Sequence, residues 1–224
     1  MKKYPIAQYK VKRVFKCFAD ECLASSTRFK SWEDCYNAFA GVYKVGYKSA
    51  NSKILALHLV GYLASWGMYR GSSKLLQEFD YLVHEKLTEQ LFNNNNIKLF
   101  KLNPLTDCCE YRKVIVEAYN TIEKYYVSLG IKPSDTLITK ILLGVYGCVP
   151  AYDINVHKSM KLYGINNNGK FSNRIDSLLK WLNANHNLIK DINNHKSIVI
   201  KSTTDYPFMK LLDMYFWTLS KKEN

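Results

Sequence analysis

The chain has no apolar run of membrane length: its most hydrophobic stretch, Ile54 to Trp66, falls short of the roughly 20 residues a spanning helix needs. It also lacks a secretory pattern, since the basic residues of Met1 to Ala7 lead into a charged amphipathic segment and not into an apolar run closed by small residues. A cytoplasmic protein is expected. The six cysteines, Cys17, Cys22, Cys35, Cys108, Cys109 and Cys148, form neither a small disulfide framework nor paired CxxC spacing. Cys17, Cys22 and Cys35 would supply zinc ligands only if the first two helices packed in a special way. Cysteine on an apolar helix face is ordinarily core, so neither a metal nor a cofactor is expected. The GxxxxGK[ST] loop of nucleotide-binding proteins is missing, as are HExxH, GxSxG and an HxE followed by PCxxC. These absences leave no support for NTP binding, metalloprotease, serine hydrolase or deaminase chemistry. Acidic residues are scarce: nineteen Asp and Glu stand against thirty-two Lys and Arg, a net charge of +13.

That charge creates a field that attracts phosphate backbones, anionic surfaces or an acidic protein partner, and nucleic acid is the partner it favours. A solvated Lys-rich surface is the bland alternative. With 47% apolar residues over 224 positions the chain buries a substantial core. The pattern predicts an all-α fold of about eight or nine helices packed around a central buried helix. Either one domain covers residues 1–224 or two lobes meet near residues 93–104.

In chain order, Ile6 to Leu23 reads as an amphipathic helix whose polar face carries Lys10, Lys12, Arg13 and Lys16, a candidate phosphate-contacting surface. Ser31 with Asp34 three positions on reads as the capped start of the next helix. Ser52 to Trp66 is apolar nearly all round, which marks it as the central helix, with His58 as a hydrogen-bonded core residue. The segment Trp66-Gly-Met-Tyr-Arg-Gly-Ser-Ser73 forms a turn in which Ser72 or Ser73 caps the following helix. Arg70 there, beside Trp66 and Tyr69, is either a base-stacking or phosphate contact or an arginine packed on interior aromatics. Helices are expected over Leu75 to Phe92, from Asp107 (with Glu110 completing a cap) to Leu129, over Phe171 to Ile192, and from Pro207 to the charged tail. Ser197 to Ser202 has strand character but no partner strand, so it reads as extended loop.

The most informative stretch is Thr136 to Gly164. An apolar helix ends at Gly147, a Gly-Cys-Val-Pro turn follows, and Asp153 opens a basic helix carrying His157, Lys158 and Lys161. Cys148 in that turn is a small buried residue or, at a helix N-terminus, an activated thiol. Together, LASWGMYRGSS and TKILLGVYGCVPAYD resemble segments of a family of small, uncharacterised bacterial helical proteins, which implies a shared helical fold and no particular chemistry. A second resemblance is to helix-hairpin-helix DNA glycosylases: Gly147, Pro150, Asp153, Val156, Lys158 and Gly164 stand in the relative positions of the glycosylase turn and its D-x-x-V helix. That resemblance implies that Asp153 stabilises a developing positive sugar or orients the attacking water. The chain departs from the pattern upstream, where LGIKPSD has one glycine in place of a Gly-hydrophobic-Gly hairpin. No lysine stands at the Schiff-base position, Lys140 being set aside as part of the intervening helix, and no four-cysteine cluster follows.

Three functions compete. A non-catalytic nucleic-acid binder presents its basic residues as a positive face; a glycosylase-like repair enzyme places Asp153 in a pocket with Trp66, Tyr69, Tyr146 and Tyr152; a protein-binding or inhibitor module leaves the apolar Phe208 to Trp217 helix exposed.

Overall fold

The computed structural model describes residues 9–22, 27–71 and 73–222. Residues 6–8 and Leu23 of the first expected helix, and the cap candidate Ser72, lie outside the described residues. Among the described residues all regular structure is helical. The α-helices are α1 (Tyr9–Cys22), α2 (Ser31–Val45), α3 (Ser52–Ser65), α4 (Lys74–Gln77), α5 (Glu85–Leu91), α6 (Cys108–Ser128), α7 (Asp135–Tyr146), α8 (Ile154–Leu162), α9 (Phe171–Ala184), α10 (His186–Asn194) and α11 (Phe208–Lys222). Short 3₁₀ turns join several of them, and the expected extended loop near Ser197 contains one at Lys196–Ile198. No helix among the described residues is long and apolar enough to cross a membrane.

The centre of the fold is not α3. Its outward positions Ile54 and Leu57 are about half exposed, at 49% and 51%, and His58 is half-buried. An all-round apolar helix predicts neighbours on every side, but α2, α5 and α7 cover only part of α3. The helices buried at every position are α7 from Leu137 onward and α11 from Met209 to Ser220. α7 packs against α2, α3 and α6; α11 packs against α8, α1 and α10. Burial of α11 from Met209 to Ser220 removes the main support for the protein-binding reading.

Local chemistry sets the boundaries of α7 and α8. Pro133 precedes Ser134, whose Oγ accepts the Leu137 amide and caps α7. Gly147 ends α7 in the left-handed region at φ 63, a conformation costly for any residue with a Cβ. A Cβ there would also lie 2.6 Å from Pro207 Cγ. The following turn is buried, so its backbone groups need partners. The Ala151 amide donates to Asp213 Oδ1 at 2.9 Å, the Tyr152 amide to Thr139 Oγ1 at 2.9 Å, and Tyr152 O accepts from Thr136 Oγ1 at 2.8 Å. Tyr111 donates its hydroxyl to Cys148 O. These bonds hold residues 148–152 against α6, α7 and α11 and fix where Asp153 emerges.

Elsewhere the sequence pattern misplaces breaks and caps. Leu75 to Phe92 is not one helix: α4 ends at Gln77, Asp80 caps a 3₁₀ turn by accepting the Leu82 amide, and α5 follows. Phe171 to Ile192 is divided at Asn185. Ser31 donates to Arg28 O without capping α2, because the turn at Arg28–Lys30 already occupies the helix approach. Asp107 spends its carboxylate on the Asn103 amide, and Glu110 pairs with Lys98. Ser73 precedes α4 without a side-chain cap.

Candidate functional site

The ends of α3, α7, α8 and α11 meet around an open cleft of about 910 Å³. Its cations are Arg28, Arg70, Lys74, Lys132, Lys140 and Lys221; its one carboxylate is Asp153; its large aromatics are Trp66 and Trp217. These residues come from five separate parts of the chain. Lys74 has Glu78 at 3.7 Å and Lys221 has Glu21 at 3.7 Å, whereas Arg28, Arg70 and Lys132 pair with no carboxylate among the described residues.

Asp153 has two roles divided between its oxygens. Oδ1 accepts the Asn155 and Val156 amides, both at 3.0 Å, and so caps α8. Oδ2 lies 3.9 Å from Lys140 Nζ, and the Asp153 side chain is 19% exposed to the cleft. Burial raises the Asp153 pKa above the usual carboxylate value, and this effect outweighs the lowering by the Val156 amide and the Lys140 charge. Burial likewise lowers the Lys140 pKa, against the opposing pull of Asp153 and Asp213. Each charge of the pair is thus disfavoured by its surroundings and supported mainly by the other.

Lys140, which the sequence pattern set aside as part of the intervening helix, lines the cleft beside Asp153. Its side chain is 4% exposed, with no hydrogen-bond acceptor for its ammonium among the described residues. Nζ sits 4.6 Å from the centroid of the Trp66 ring. The Arg28 guanidinium lies 5.1 Å from the same ring and 5.3 Å from that of Phe29. Lys221 Nζ lies 3.8 Å from the Trp217 ring, which meets Trp66 edge-on at 6.0 Å. Aromatic faces therefore add to the support of these cations, beside Asp153 for Lys140 and Glu21 for Lys221. The Trp66 indole N–H is enclosed and has no acceptor among the described residues.

Helix polarity adds to the field. Ser134, Thr136 and Leu137 at the start of α7, and Asp153, Ile154 and Asn155 at the start of α8, all line the cleft. Both helices thus direct the positive ends of their dipoles toward it. Gly67, at φ 71, allows Arg70 to fold in close; a Cβ on Gly67 would stand 3.1 Å from Arg70 Nε.

Of the residues expected at the site, Trp66, Arg70 and Asp153 line the cleft. Tyr69 does not; its hydroxyl is 2.7 Å from Nε2 of buried His84, whose Nδ1 is 2.9 Å from the Tyr126 hydroxyl. That chain anchors the 66–71 segment. Burial lowers the His84 pKa to about 3, so this histidine is neutral. Tyr146 is buried and donates to Leu91 O on the far side of α7. Tyr152 is buried beneath Arg174, 5.2 Å from its guanidinium, and beside His157. Neither tyrosine lines the cleft with Asp153. His157, Lys158 and Lys161 continue along α8 outside the cleft, His157 half-buried and the lysines exposed. Lys10, Lys12, Arg13 and Lys16 are exposed on α1 and do not reach it. Cys148 is not an activated thiol: it is 3% exposed, its Sγ lies 3.6 Å from Leu142 O, and burial pushes its pKa up.

A second polar group lies behind the turn. Arg174 forms a two-pronged pair with Asp135 at 2.7 and 3.0 Å, and Tyr119 donates to the same carboxylate. Arg174 and Tyr119 thereby fasten α9 and α6 to the start of α7. Among the described residues no three His, Cys, Asp or Glu side chains are grouped to hold a metal ion.

The sequence signal that singles out Lys140 is its place as the one charge within TLITKILLGVY, since a cation inside an otherwise buried helix needs a partner. Nothing in the local sequence marks Arg28, Lys74, Lys132, Trp217 or Lys221 as neighbours of that site. Comparison with protein-family models, curated proteins and solved structures yields no match, so the two resemblances rest on local sequence alone.

Proposed function

We propose that the protein binds nucleic acid at this cleft and along its rim. The observation that carries the reading is the charge balance of one concave surface: Arg28, Arg70, Lys74, Lys132, Lys140 and Lys221 against Asp153 alone, with Trp66 and Trp217 between them. Rim cations contact phosphates of the strand backbone. If Arg70, Lys74, Lys132 and Lys221 each neutralise one phosphate of a single strand, the slope of log affinity against log salt is about −3. Fluorescence anisotropy with a labelled single strand at several salt concentrations measures that slope. The Arg70→Gln/Lys132→Gln double variant lowers its magnitude by roughly 1.4. Weak, salt-independent binding would refute this reading.

A second reading, a glycosylase-like repair enzyme using Asp153, is favoured by one observation. A carboxylate and a desolvated amine, Asp153 and Lys140, share the cleft 3.9 Å apart. A cleft of about 910 Å³ is large enough for an extruded nucleotide. Duplexes carrying damaged bases test it: strand or base release by the wild type that disappears in Asp153→Asn supports catalysis, and binding without product leaves the non-catalytic protein.

A further inference from the structure

We infer that the cleft beside Lys140 is a subsite for a terminal phosphate monoester, so that a nucleic-acid strand enters end-on with its terminal phosphate between Lys140 at the floor and the exposed Arg28 at the mouth. This rests on the nucleic-acid reading and deepens it. Lys140 is the key residue, because a cation whose side chain is 4% exposed cannot touch the backbone of a strand lying across the surface. A phosphodiester in mid-strand is flanked on both sides by sugars, and bringing it to the floor would draw two chain segments into one cleft. A monoester at a strand end carries only one. It also carries up to about two negative charges and three free oxygens, where a diester carries one charge and two free oxygens.

The floor has unmet donors for those oxygens. The Lys140 ammonium has no acceptor within hydrogen-bonding distance among the described residues; Asp153 Oδ2, at 3.9 Å, is beyond it. Trp66 packs against both Lys140 and Arg28, so one ring brings the two cations to the same part of the cleft. Arg28 has no carboxylate partner either, and its planar fork suits a phosphate. The N-termini of α7 and α8 converge on the same space. Asp153 is the one repulsive neighbour. A dianion beside it favours the protonated carboxyl, which turns the repelling group into a donor.

The test uses four single-stranded oligonucleotides of one sequence: 3′-labelled with a 5′-phosphate or 5′-hydroxyl, and 5′-labelled with a 3′-phosphate or 3′-hydroxyl. Anisotropy at one fixed salt concentration is expected to give about tenfold tighter binding for one of the phosphorylated strands than for its hydroxyl counterpart. Lys140→Met and, separately, Arg28→Gln reduce that preference to below about threefold, read as the ratio of phosphorylated to hydroxyl-ended affinity within each variant so that a general loss of binding cancels. Asp153→Asn increases it by removing the like charge. Equal affinity for both members of each pair, or a preference unchanged in both Lys140→Met and Arg28→Gln, overturns the terminal subsite and leaves the nucleic-acid reading standing. A nucleoside monophosphate that displaces the phosphorylated strand at equal concentration overturns the strand-end assignment in favour of a free nucleotide. Absence of salt-dependent binding by all four strands removes the broader reading as well.

Discussion

Replacing Asp153 separates its two oxygens' roles. At 3.9 Å and an effective dielectric constant of about 20, the Asp153–Lys140 attraction is about 4 kcal/mol before desolvation. Desolvation of a lysine this buried offsets most of that, so the intact pair contributes little net stability. Breaking it differs from never having it. In Asp153→Asn the amide oxygen still accepts the Asn155 and Val156 amides, so the cap survives while Lys140 loses its counter-charge. The full penalty for an orphaned buried charge is about 3–5 kcal/mol; the open cleft lets water approach, so the expected cost is about 2 kcal/mol. Asp153→Ala forfeits the cap too and is expected to cost about 1 kcal/mol more. Lys140→Met leaves a carboxylate that retains two amide donors and some solvent, at about 1 kcal/mol. The double variant Asp153→Asn/Lys140→Met contains no orphaned charge and should lie within about 1 kcal/mol of wild type, a coupling of about 2 kcal/mol. Urea unfolding followed by tryptophan fluorescence reports these differences, with Trp66 and Trp217 at the cleft itself. Additive single effects would refute the reasoning, as would equal losses in Asp153→Asn and Asp153→Ala. The sign with pH is a further check. A raised native pKa means Asp153 contributes stability below its ordinary 3.8 that is lost as pH rises through the native value. The depressed Lys140 pKa acts oppositely: its contribution is present above 10.5 and is lost as pH falls through the native value.

Two further outcomes follow from the elements that aim Asp153. Gly147→Ala forces a Cβ at φ 63 and 2.6 Å from Pro207 Cγ, with an expected loss of about 3 kcal/mol, or roughly 6–12 °C in Tm; a change under about 2 °C by calorimetry would contradict the assigned turn. Asp135 has a native pKa below its usual 3.8; burial opposes the shift, but the bonds from Arg174 and Tyr119 and the Arg174 charge prevail. Its stabilising contribution is present above pH 3.8 and lost as pH falls through the depressed native value, so Asp135→Asn should flatten the acid limb of a stability–pH curve; an unchanged limb would show that Arg174 does not hold α7 through this carboxylate.

The parts of the site legible in the sequence were those with local causes. Ser134 after Pro133, Gly147 at a left-handed helix end and Asp153 before a helix each act on backbone groups within a few residues, so their residue types suffice. Ser31 and Asp107 have the same types but different partners, because Arg28 O and the Asn103 amide lie within reach and compete for them. The break at Asn185 and the one between Gln77 and Glu85 involve neither glycine nor proline. Aromatic residue type likewise says nothing about which side of α7 a ring takes. Tyr146 leaves for Leu91, Tyr152 for Arg174, and the rings beside Asp153 are Trp66 and Trp217, the latter 64 positions further along.

The cleft itself arises from a conflict that only the assembled fold exposes. α7 is apolar enough to be buried from Leu137 onward, yet it contains Lys140, whose side chain lines the cleft. A fully sealed core would have required the neutral amine or a tightly bonded carboxylate. Here Asp153 serves only in part, since its Oδ1 is committed to α8, and the remaining support comes from the Trp66 ring. Arg28 then competes for that ring, so each added cation increases the demand for an anion that the protein does not meet. The positive ends of α7 and α8 increase it again. The same helix ends that make Asp153 a good cap therefore strengthen the positive field in the space beside it. The cap and the cleft are two consequences of one arrangement, and substitutions that keep the first while altering the second, Asp153→Asn above all, are the ones that distinguish a structural carboxylate from a functional one.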